Sequence, residues 1–359
     1  MEIIEKIKLS NFRNLSEQIV TFDDNVNCVF GNNGNGKTNL LEGIYFSIYK
    51  KSFRKKATFQ QLLSVECGKP EIISNILLKN KDDKEYYSII YQENAVKCFK
   101  DGNVKTSKPK ANCVFVSPFD SFNFHNEAGF RRSLIDTLIS NISESYKLIL
   151  RDYLKLLKQK NFLLKTTQNY QQLDAVDSVL SEKIEYLVEK RQKFICEINP
   201  YLENIYKLIF NENICLKLEI NSSFSNLKKE EILILLQNNR KLDVQHRVSK
   251  LGPHKDDLHL NFNGLNSVDF CSLGQQKTAY LSLLFAYINL FRYKFREYPI
   301  VLIDDVSGEL DSIRLDLLIK YLFKVNYQVI LTTANIEFRN RLNSYGNVKL
   351  IKVEDGYFQ

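Results

Sequence analysis

The octapeptide Gly31-Asn32-Asn33-Gly34-Asn35-Gly36-Lys37-Thr38 constrains this chain more than any other feature, because it fills every position of a G-x-x-x-x-G-K-[ST] phosphate loop. Such a loop needs a strand before it and a helix after it. Val26 to Phe30 reads as a short buried strand and Asn39 to Phe46 as a helix, so the flanks have the required order. The glycines let successive N–H groups turn inward around phosphate oxygens, and the helix N-terminus adds the positive end of its dipole. In that setting Lys37 reaches the β- and γ-phosphates and Thr38 places its hydroxyl on Mg²⁺. Lys37 is expected to face solvent until phosphate arrives. ATP and Mg²⁺ are the expected cofactors.

Two further segments narrow the class. Pro299-Ile300-Val301-Leu302-Ile303-Asp304-Asp305 is an apolar run ending in two carboxylates, the pattern of a central parallel strand buried on both faces. Read structurally, it is a core strand followed by an acidic turn. Read functionally, Asp304 holds Mg²⁺ through water and Asp305 lies beside the attacking water. The continuation Val306-Ser307-Gly308-Glu309-Leu310-Asp311 favours function, since it resembles the turn after that strand in ABC-type ATPases. Cys271-Ser272-Leu273-Gly274-Gln275 opens an apolar helix in which Ser272 and Gln275 form a capping box. The same S-x-G-Q pattern resembles the ABC signature, whose helix N-terminus faces the γ-phosphate held by a second subunit. The capping box and the signature are compatible.

The nucleotide motifs sit at both ends of the chain, so the head is expected to assemble from residues 1–125 and 241–359, with 126–240 as a compact helical arm. Ile184, Leu187, Val188, Ile195, Ile198, Leu202, Ile205 and Ile209 follow helical spacing, with Arg191 the one polar residue in the row. That stripe is expected to be interrupted near Pro200. Tyr146 to Leu164 carries a comparable stripe, joined to it by the polar stretch Thr166 to Asp174, and the two read as an antiparallel pair. The insertion is too short for a long coiled coil. Strands are expected at Ile3–Leu9, Val26–Phe30, Ile72–Leu78, Tyr86–Tyr91, Ala95–Lys100, Cys113–Val116 and Tyr327–Thr332.

Fifty Lys and Arg against forty-two Asp and Glu give +8, compatible with a polyanionic partner without requiring one. The run Lys50-Lys51-Ser52-Phe53-Arg54-Lys55-Lys56 reads equally as a DNA contact or a solvated loop. No apolar run approaches the roughly 20 residues of a membrane span, and the opening Met1-Glu2-Ile3-Ile4-Glu5 is charged rather than leader-like. Seven cysteines are scattered without C-x-x-C spacing, which reads as reduced core thiols in a cytoplasmic protein. His254 and His259 lie close together, in a turn context that does not suit zinc.

The resemblance then becomes close. Leu9-Ser10-Asn11-Phe12-Arg13-Asn14, the S-F-R segment Ser52-Phe53-Arg54, Phe115-Val116-Ser117-Pro118 and Arg131-Arg132 with Asp136 are similar to segments of the RecF family, recombination-mediator ATPases related to SMC and Rad50 heads. So are Lys160-Asn161-Phe162-Leu163-Leu164-Lys165 and the heptapeptide Gly252-Pro253-His254-Lys255-Asp256-Asp257-Leu258, the most specific match after the nucleotide motifs. Phe119 departs from the family's usual acidic residue, and the segment before Arg131 lacks its usual proline.

The resemblance implies an α/β ABC/Rad50-like head, two molecules sandwiching two ATPs, and Ser272, Gly274 and Gln275 of one reaching the γ-phosphate held by the other. It implies an ATP-closed clamp on single-stranded or gapped DNA in gap repair and the SOS response, with RecR and RecO as partners. Asp305 stands where many relatives carry a glutamate base, and its shorter side chain implies slow hydrolysis. Three rival readings share the head. A transporter ATPase is disfavoured by Phe12-Arg13-Asn14, by the helical arm, and by threonine in Val329-Ile330-Leu331-Thr332-Thr333 where a switch histidine is usual. A nucleotide-gated DNA scaffold with incidental hydrolysis is separated by turnover with and without gapped DNA. A defence-type nuclease is disfavoured because no acidic nuclease domain follows Asp311.

Overall fold

The computed structural model describes residues 2–54, 57–65, 70–80, 83–93, 95–105, 109–117, 119–166, 170–210, 214–306 and 310–359. Lys55, Lys56, Pro118, residues 167–169 of the polar joint and residues 307–309 of the acidic turn lie outside them.

Strands β1 (Glu2–Ser10), β2 (Ile19–Thr21) and β3 (Val26–Phe30) precede helix α1 (Lys37–Tyr49) and the short turn α2 (Phe59–Leu62). Then follow β4 (Glu71–Asn80), β5 (Asp83–Gln92), β6 (Ala95–Lys100), β7 (Asn103–Lys105) and β8 (Cys113–Val116). The helices α3 (Asp120–Asn126), α4 (Ala128–Ile142), α5 (Glu144–Thr166) and α6 (Tyr170–Phe210) come next. After β9 (Leu216–Asn221), α7 (Lys229–Asn238), α8 (Arg240–His246), β10 (Asp257–Phe262), β11 (Leu265–Asn266) and α9 (Ser267–Phe270) runs the long helix α10 (Leu273–Phe295). The chain closes with β12 (Ile300–Ile303), α11 (Ser312–Leu322), β13 (Val329–Thr333), α12 (Ile336–Tyr345), β14 (Lys349–Glu354) and β15 (Tyr357–Phe358).

Two compact units result, one chiefly from residues 1–120 and 291–359, the other from 121–208 and 212–290. The first unit contains two six-stranded sheets. One is antiparallel in the order β2-β1-β4-β5-β6-β7. In β4, Ile72, Ser74, Ile76 and Leu78 alternate inward, as the two-residue period of a strand with one buried face requires. The other sheet runs β15-β14-β3-β13-β12-β8, parallel from β14 to β8. All four residues of β12 (Ile-Val-Leu-Ile) are buried, the signature of a strand covered on both faces. Leu40, Leu41, Ile44 and Ile48 of α1 join Ile72, Ile300, Leu302 and Ile330 in one core.

That topology positions the chemistry. Parallel pairing sets Thr333 beside Phe30 and Ile303 beside Leu331. The C-terminal ends of β3, β13 and β12 therefore lie along one edge, which carries the phosphate loop after β3, the Thr332-Thr333 pair that closes β13 and the Asp304-Asp305 pair after β12.

In the second unit, α5 and α6 are antiparallel: Ser145 meets Tyr186 (2.8 Å) while Lys160 meets Asp177 (2.9 Å). The apolar stripe of α6 is buried from Ile184 to Ile205. The expected interruption at Pro200 does not occur, and α6 runs unbroken through it. Proline removes one backbone bond, but Ile195, Ile198, Leu202 and Ile205 stay buried on both sides of it. The Asn199 amide meanwhile brackets the backbone of Leu218 in β9 at 2.8 and 3.1 Å.

Arg191, the polar residue in that stripe, is fully buried. Its guanidinium donates to Asp136 (2.9 and 3.0 Å), to Asp256 (2.7 Å) and to the Pro253 carbonyl (2.7 Å). Burial works against its charge, and Asp136, Tyr146 and Asp256 more than offset this, raising its pKa. Arg131 grips Asp257 bidentately at 2.8 Å, and Arg132 donates to the Asp256 carbonyl at 2.7 Å. Lys160 pairs with Asp177 and Asp243 at 2.9 and 3.0 Å, and the Asn161 side-chain Oδ1 accepts from the Ser249 N–H at 2.8 Å. His254 Nε2 donates to the Ser249 carbonyl (3.1 Å), so its Nδ1 accepts from Tyr153 Oη (2.6 Å); burial lowers its pKa to about 4 and keeps it neutral. The 131–136 and 252–258 segments are thus tied together by buried ions, while Lys160 anchors the 160–165 segment to α6 and α8 within the same unit.

Six cysteines are free among the described residues, and only Cys28, Cys98 and Cys113 are buried. The core-thiol expectation is corrected for Cys196, which is exposed on α6, and for the half-buried Cys215 and Cys271. No described helix is long and apolar enough to cross a membrane.

Candidate functional site

The phosphate loop is shaped by glycines where no side chain fits. A Cβ on Gly31 would lie 2.2 Å from the Val353 carbonyl oxygen. Gly36, at φ 104°, caps α1 in left-handed backbone, and a Cβ there would press on Leu15 at 2.8 Å. No side chain caps α1 and its first turn carries no acid, so its N–H groups and dipole end keep their positive potential for an anion. The loop is braced from outside: Asn14 donates to the Gly34 carbonyl (3.1 Å), Asn35 donates to Val353 (3.2 Å), and Gly356 N–H donates to the Asn35 carbonyl (3.1 Å).

Lys37 corrects one expectation. It is 7% exposed rather than solvent-facing, and its ammonium donates to the carbonyls of Gly31 and Asn32, both at 2.9 Å. The strand-to-helix turn curls those carbonyls back toward the start of α1, where a long flexible cation satisfies them. Burial lowers its pKa, against the pull of Asp305 and Asp304.

Thr38 Oγ1 donates to both oxygens of Asp304, at 2.9 and 3.1 Å. Thr332 Oγ1 donates to the same carboxylate at 2.7 Å and accepts from the Asp305 N–H at 3.1 Å. Asp304 is anchored through its own N–H to Val116 in β8. Burial raises its pKa, the Thr332 and Thr38 hydroxyls lower it, Asp305 raises it and Arg54 lowers it. Asp305 adopts left-handed backbone at φ 39°, a region that aspartate tolerates better than most side chains. Hydroxyl and carboxylate oxygens are hard donors of the kind Mg²⁺ takes.

Beside the loop lies a second polar network. Buried Glu42 on α1 is held bidentately by Arg13 (3.0 and 2.9 Å), and by Ser52 and Arg54. Arg54 also donates to Asn39 (2.8 Å), whose amide reaches Asn14 (2.7 Å). Phe53 stacks on Phe115 with ring centroids 3.7 Å apart, bringing the S-F-R and F-V-S segments together. Within the 50–56 run, Ser52 and Arg54 therefore face inward toward α1.

Lys37, Thr38, Asp304 and Asp305 converge in the first unit. Ser272, Gly274 and Gln275 belong to the second, where the expected capping box is present: Ser272 N–H donates to Gln275 Oε1 (3.0 Å) and Gln275 N–H to Ser272 Oγ (3.3 Å). Ser272 itself is exposed. Two residues at the site escaped sequence reasoning in their roles. Thr332 registers in the sequence only as a missing histidine, and Asn14 only as part of an opening motif.

A family model described as an AAA domain matches residues 6–297. The DNA replication and repair protein RecF of Clostridium beijerinckii is 32% identical over 364 residues, covering 98% of this chain and 97% of that one. The chain belongs to the RecF family. RecF of Clostridium perfringens is likewise 32% identical, over 99% of each chain. A solved structure of the recombination mediator protein RecF with ATP in the RecFOR pathway is 25% identical, with a TM-score of 0.85, covering 100% of this chain and 97% of that one. The Smc head of Pyrococcus furiosus, 15% identical over 100% of this chain and 96% of that one, shares the fold at a TM-score of 0.58. The ABC-type head expected from the motifs is therefore the fold.

Asp304→Asn separates stability from binding. A raised pKa means that the folded state binds this proton more tightly than the unfolded chain does. The group's contribution to stability is present below the ordinary carboxylate value of 3.8 and is lost as pH rises through the folded pKa. At neutral pH the buried charge is a burden that Asn removes while still accepting from Thr332 and Thr38. The variant should melt no lower than wild type at pH 7, yet lose Mg-ATP affinity by more than the roughly 10–100-fold typical of residues that only orient a metal's ligands. Thermal melting with calorimetric titration checks both halves.

Proposed function

We propose that this chain is an ATP-binding, DNA-binding recombination mediator of replication and repair, closed by ATP into a dimer on single-stranded or gapped DNA. The observation that carries it is the Thr38–Asp304–Thr332 clasp beside Lys37 at the mouth of the phosphate loop, together with relatives named for DNA replication and repair. The loop Gly31, Asn32, Asn33, Gly34, Asn35, Gly36, Lys37 and Thr38 would cradle the phosphates, and Thr38 with Asp304 would hold Mg²⁺, which when bound neutralises phosphate charge. Lys37 would exchange its two carbonyl partners for phosphate oxygens. Asp305 would orient the attacking water with a short arm, favouring slow turnover.

Ser272, Gly274 and Gln275 would complete the partner molecule's site. Ser272 is exposed at the N-terminus of α10, as that role requires, and its capping bonds are local. Residues 1–125 and 241–359 are proposed as the head and 126–240 as the arm. The protein would work in the cytoplasm, in gap repair and the SOS response, with RecR and RecO.

Fluorescence anisotropy against salt tests the DNA reading. With roughly six to ten phosphate contacts, affinity should fall by about 10³–10⁵ between about 50 and 200 mM salt. Scrambled sequences of one architecture should bind alike, and strong preference for one duplex sequence would contradict this. Turnover stimulated by gapped DNA separates a DNA-responsive ATPase from a scaffold with incidental hydrolysis.

A further inference from the structure

The last turn of α10 and the residues after it read Phe291-Arg292-Tyr293-Lys294-Phe295-Arg296-Glu297-Tyr298, and Arg292 to Glu297 are all exposed. Tyr293 and Phe295 keep 62% and 46% of their surface in solvent, a large apolar exposure for two rings so close in sequence. They are interleaved with three cations. Arg296 lies over the Tyr293 ring at 5.9 Å. Arg292 lies over Tyr298 at 4.7 Å and donates to its hydroxyl at 2.7 Å. Tyr298 packs against buried Tyr327 (5.0 Å) and Phe295 against buried Phe291 (4.5 Å), so the array stands on the core rather than on a loose loop.

The segment precedes Ile300, the first residue of β12, whereas Asp304 follows its last. At about 3.3 Å per strand residue, the two ends are on the order of 15 Å apart, which sets this surface outside the nucleotide site. Cations near a helix C-terminus complement the dipole, which accounts for Arg292 and Lys294. It leaves two aromatic rings in water unexplained.

We infer that Arg292, Tyr293, Lys294, Phe295 and Arg296 form a stacking platform for single-stranded nucleic acid. Each base has a π-face that an exposed ring can take without regard to sequence, while interleaved cations meet the phosphates. Duplex DNA, with its bases already stacked, offers this surface phosphates alone. The inference rests on the DNA-binding reading above and names the surface that would sense the single-stranded part of a gap.

The test uses the full chain, a fluorescein-labelled thirty-nucleotide oligo-dT and a thirty-base-pair duplex. Tyr293→Leu should weaken oligo-dT binding about tenfold, the loss of one stacked base, and change duplex binding less than twofold, with melting unchanged. Arg296→Gln should flatten the salt dependence of oligo-dT binding by about 0.7 in log–log slope. Iodouracil-substituted oligo-dT should photo-cross-link to the peptide containing Tyr293 and Phe295. Wild-type oligo-dT affinity in Tyr293→Leu, or cross-links confined to other peptides, would overturn the platform and leave DNA binding standing. A wild-type protein that binds neither probe would overturn both.

Discussion

Arg191→Ala is expected to lower the unfolding free energy by about 3–5 kcal/mol, the range for removing one partner from a buried ion cluster. The guanidinium holds Asp136 and Asp256 through four bonds of 2.7 to 3.1 Å, and the Pro253 carbonyl through a fifth of 2.7 Å. Alanine leaves two carboxylates without their cation, and Asp256 already has its pKa raised, first by burial. The turn at 252–258 would lose its main tether to α6. A triple replacement, Arg191→Met with Asp136→Leu and Asp256→Leu, should be less damaging than the single change, because no charge is then stranded. Urea unfolding of the three proteins checks the order. A loss below about 1 kcal/mol in Arg191→Ala would mean that water reaches the cluster.

Lys37→Ala is expected to cut ATP affinity by about 100-fold or more. Two charge-assisted bonds of about 1.5–3 kcal/mol each would be forfeited where the ammonium meets phosphate oxygens. Stability should change little, for two opposing reasons. The ammonium satisfies the Gly31 and Asn32 carbonyls, but burial already lowers its pKa, so its charge is carried at a cost that alanine relieves. Lys37→Arg should not rescue binding, since a planar fork does not fit where a compact point charge reaches two carbonyls. Calorimetric titration with Mg-ATP measures the effect, and wild-type affinity in Lys37→Ala would remove the nucleotide reading.

Much of this architecture was legible because its signals are local. Ile300–Ile303 is a continuous apolar run and Val26–Phe30 is broken only by Asn27, and each is a buried strand of the parallel sheet. The α5–α6 pair followed from two stripes of helical period. What stayed hidden depends on partners distant in sequence. Arg191 read as a flaw in an apolar stripe because Asp136 and Asp256 lie 55 and 65 residues away. Thr332 gave no sign of its bond to Asp304, 28 residues back. Strand β14 (Lys-Leu-Ile-Lys-Val-Glu) carries too many charges to read as part of a core sheet, and it is built by pairing with β3. The buried Lys37 shows the same limit, since the motif names its ligand but not the carbonyls of its own loop.

We propose that ATP joins two copies through Ser272, and light scattering of wild type and Ser272→Arg, each with and without Mg-ATP, decides it. If Ser272 were only a helix cap, its loss would cost about 1 kcal/mol of stability and leave assembly untouched. With a shared site, wild type should double its mass with ATP, while Ser272→Arg binds ATP normally, stays monomeric and shows no DNA-stimulated turnover. A Ser272→Arg protein that dimerises with ATP and hydrolyses it at the wild-type rate would contradict the shared site and leave the capping bond as the whole role of Ser272.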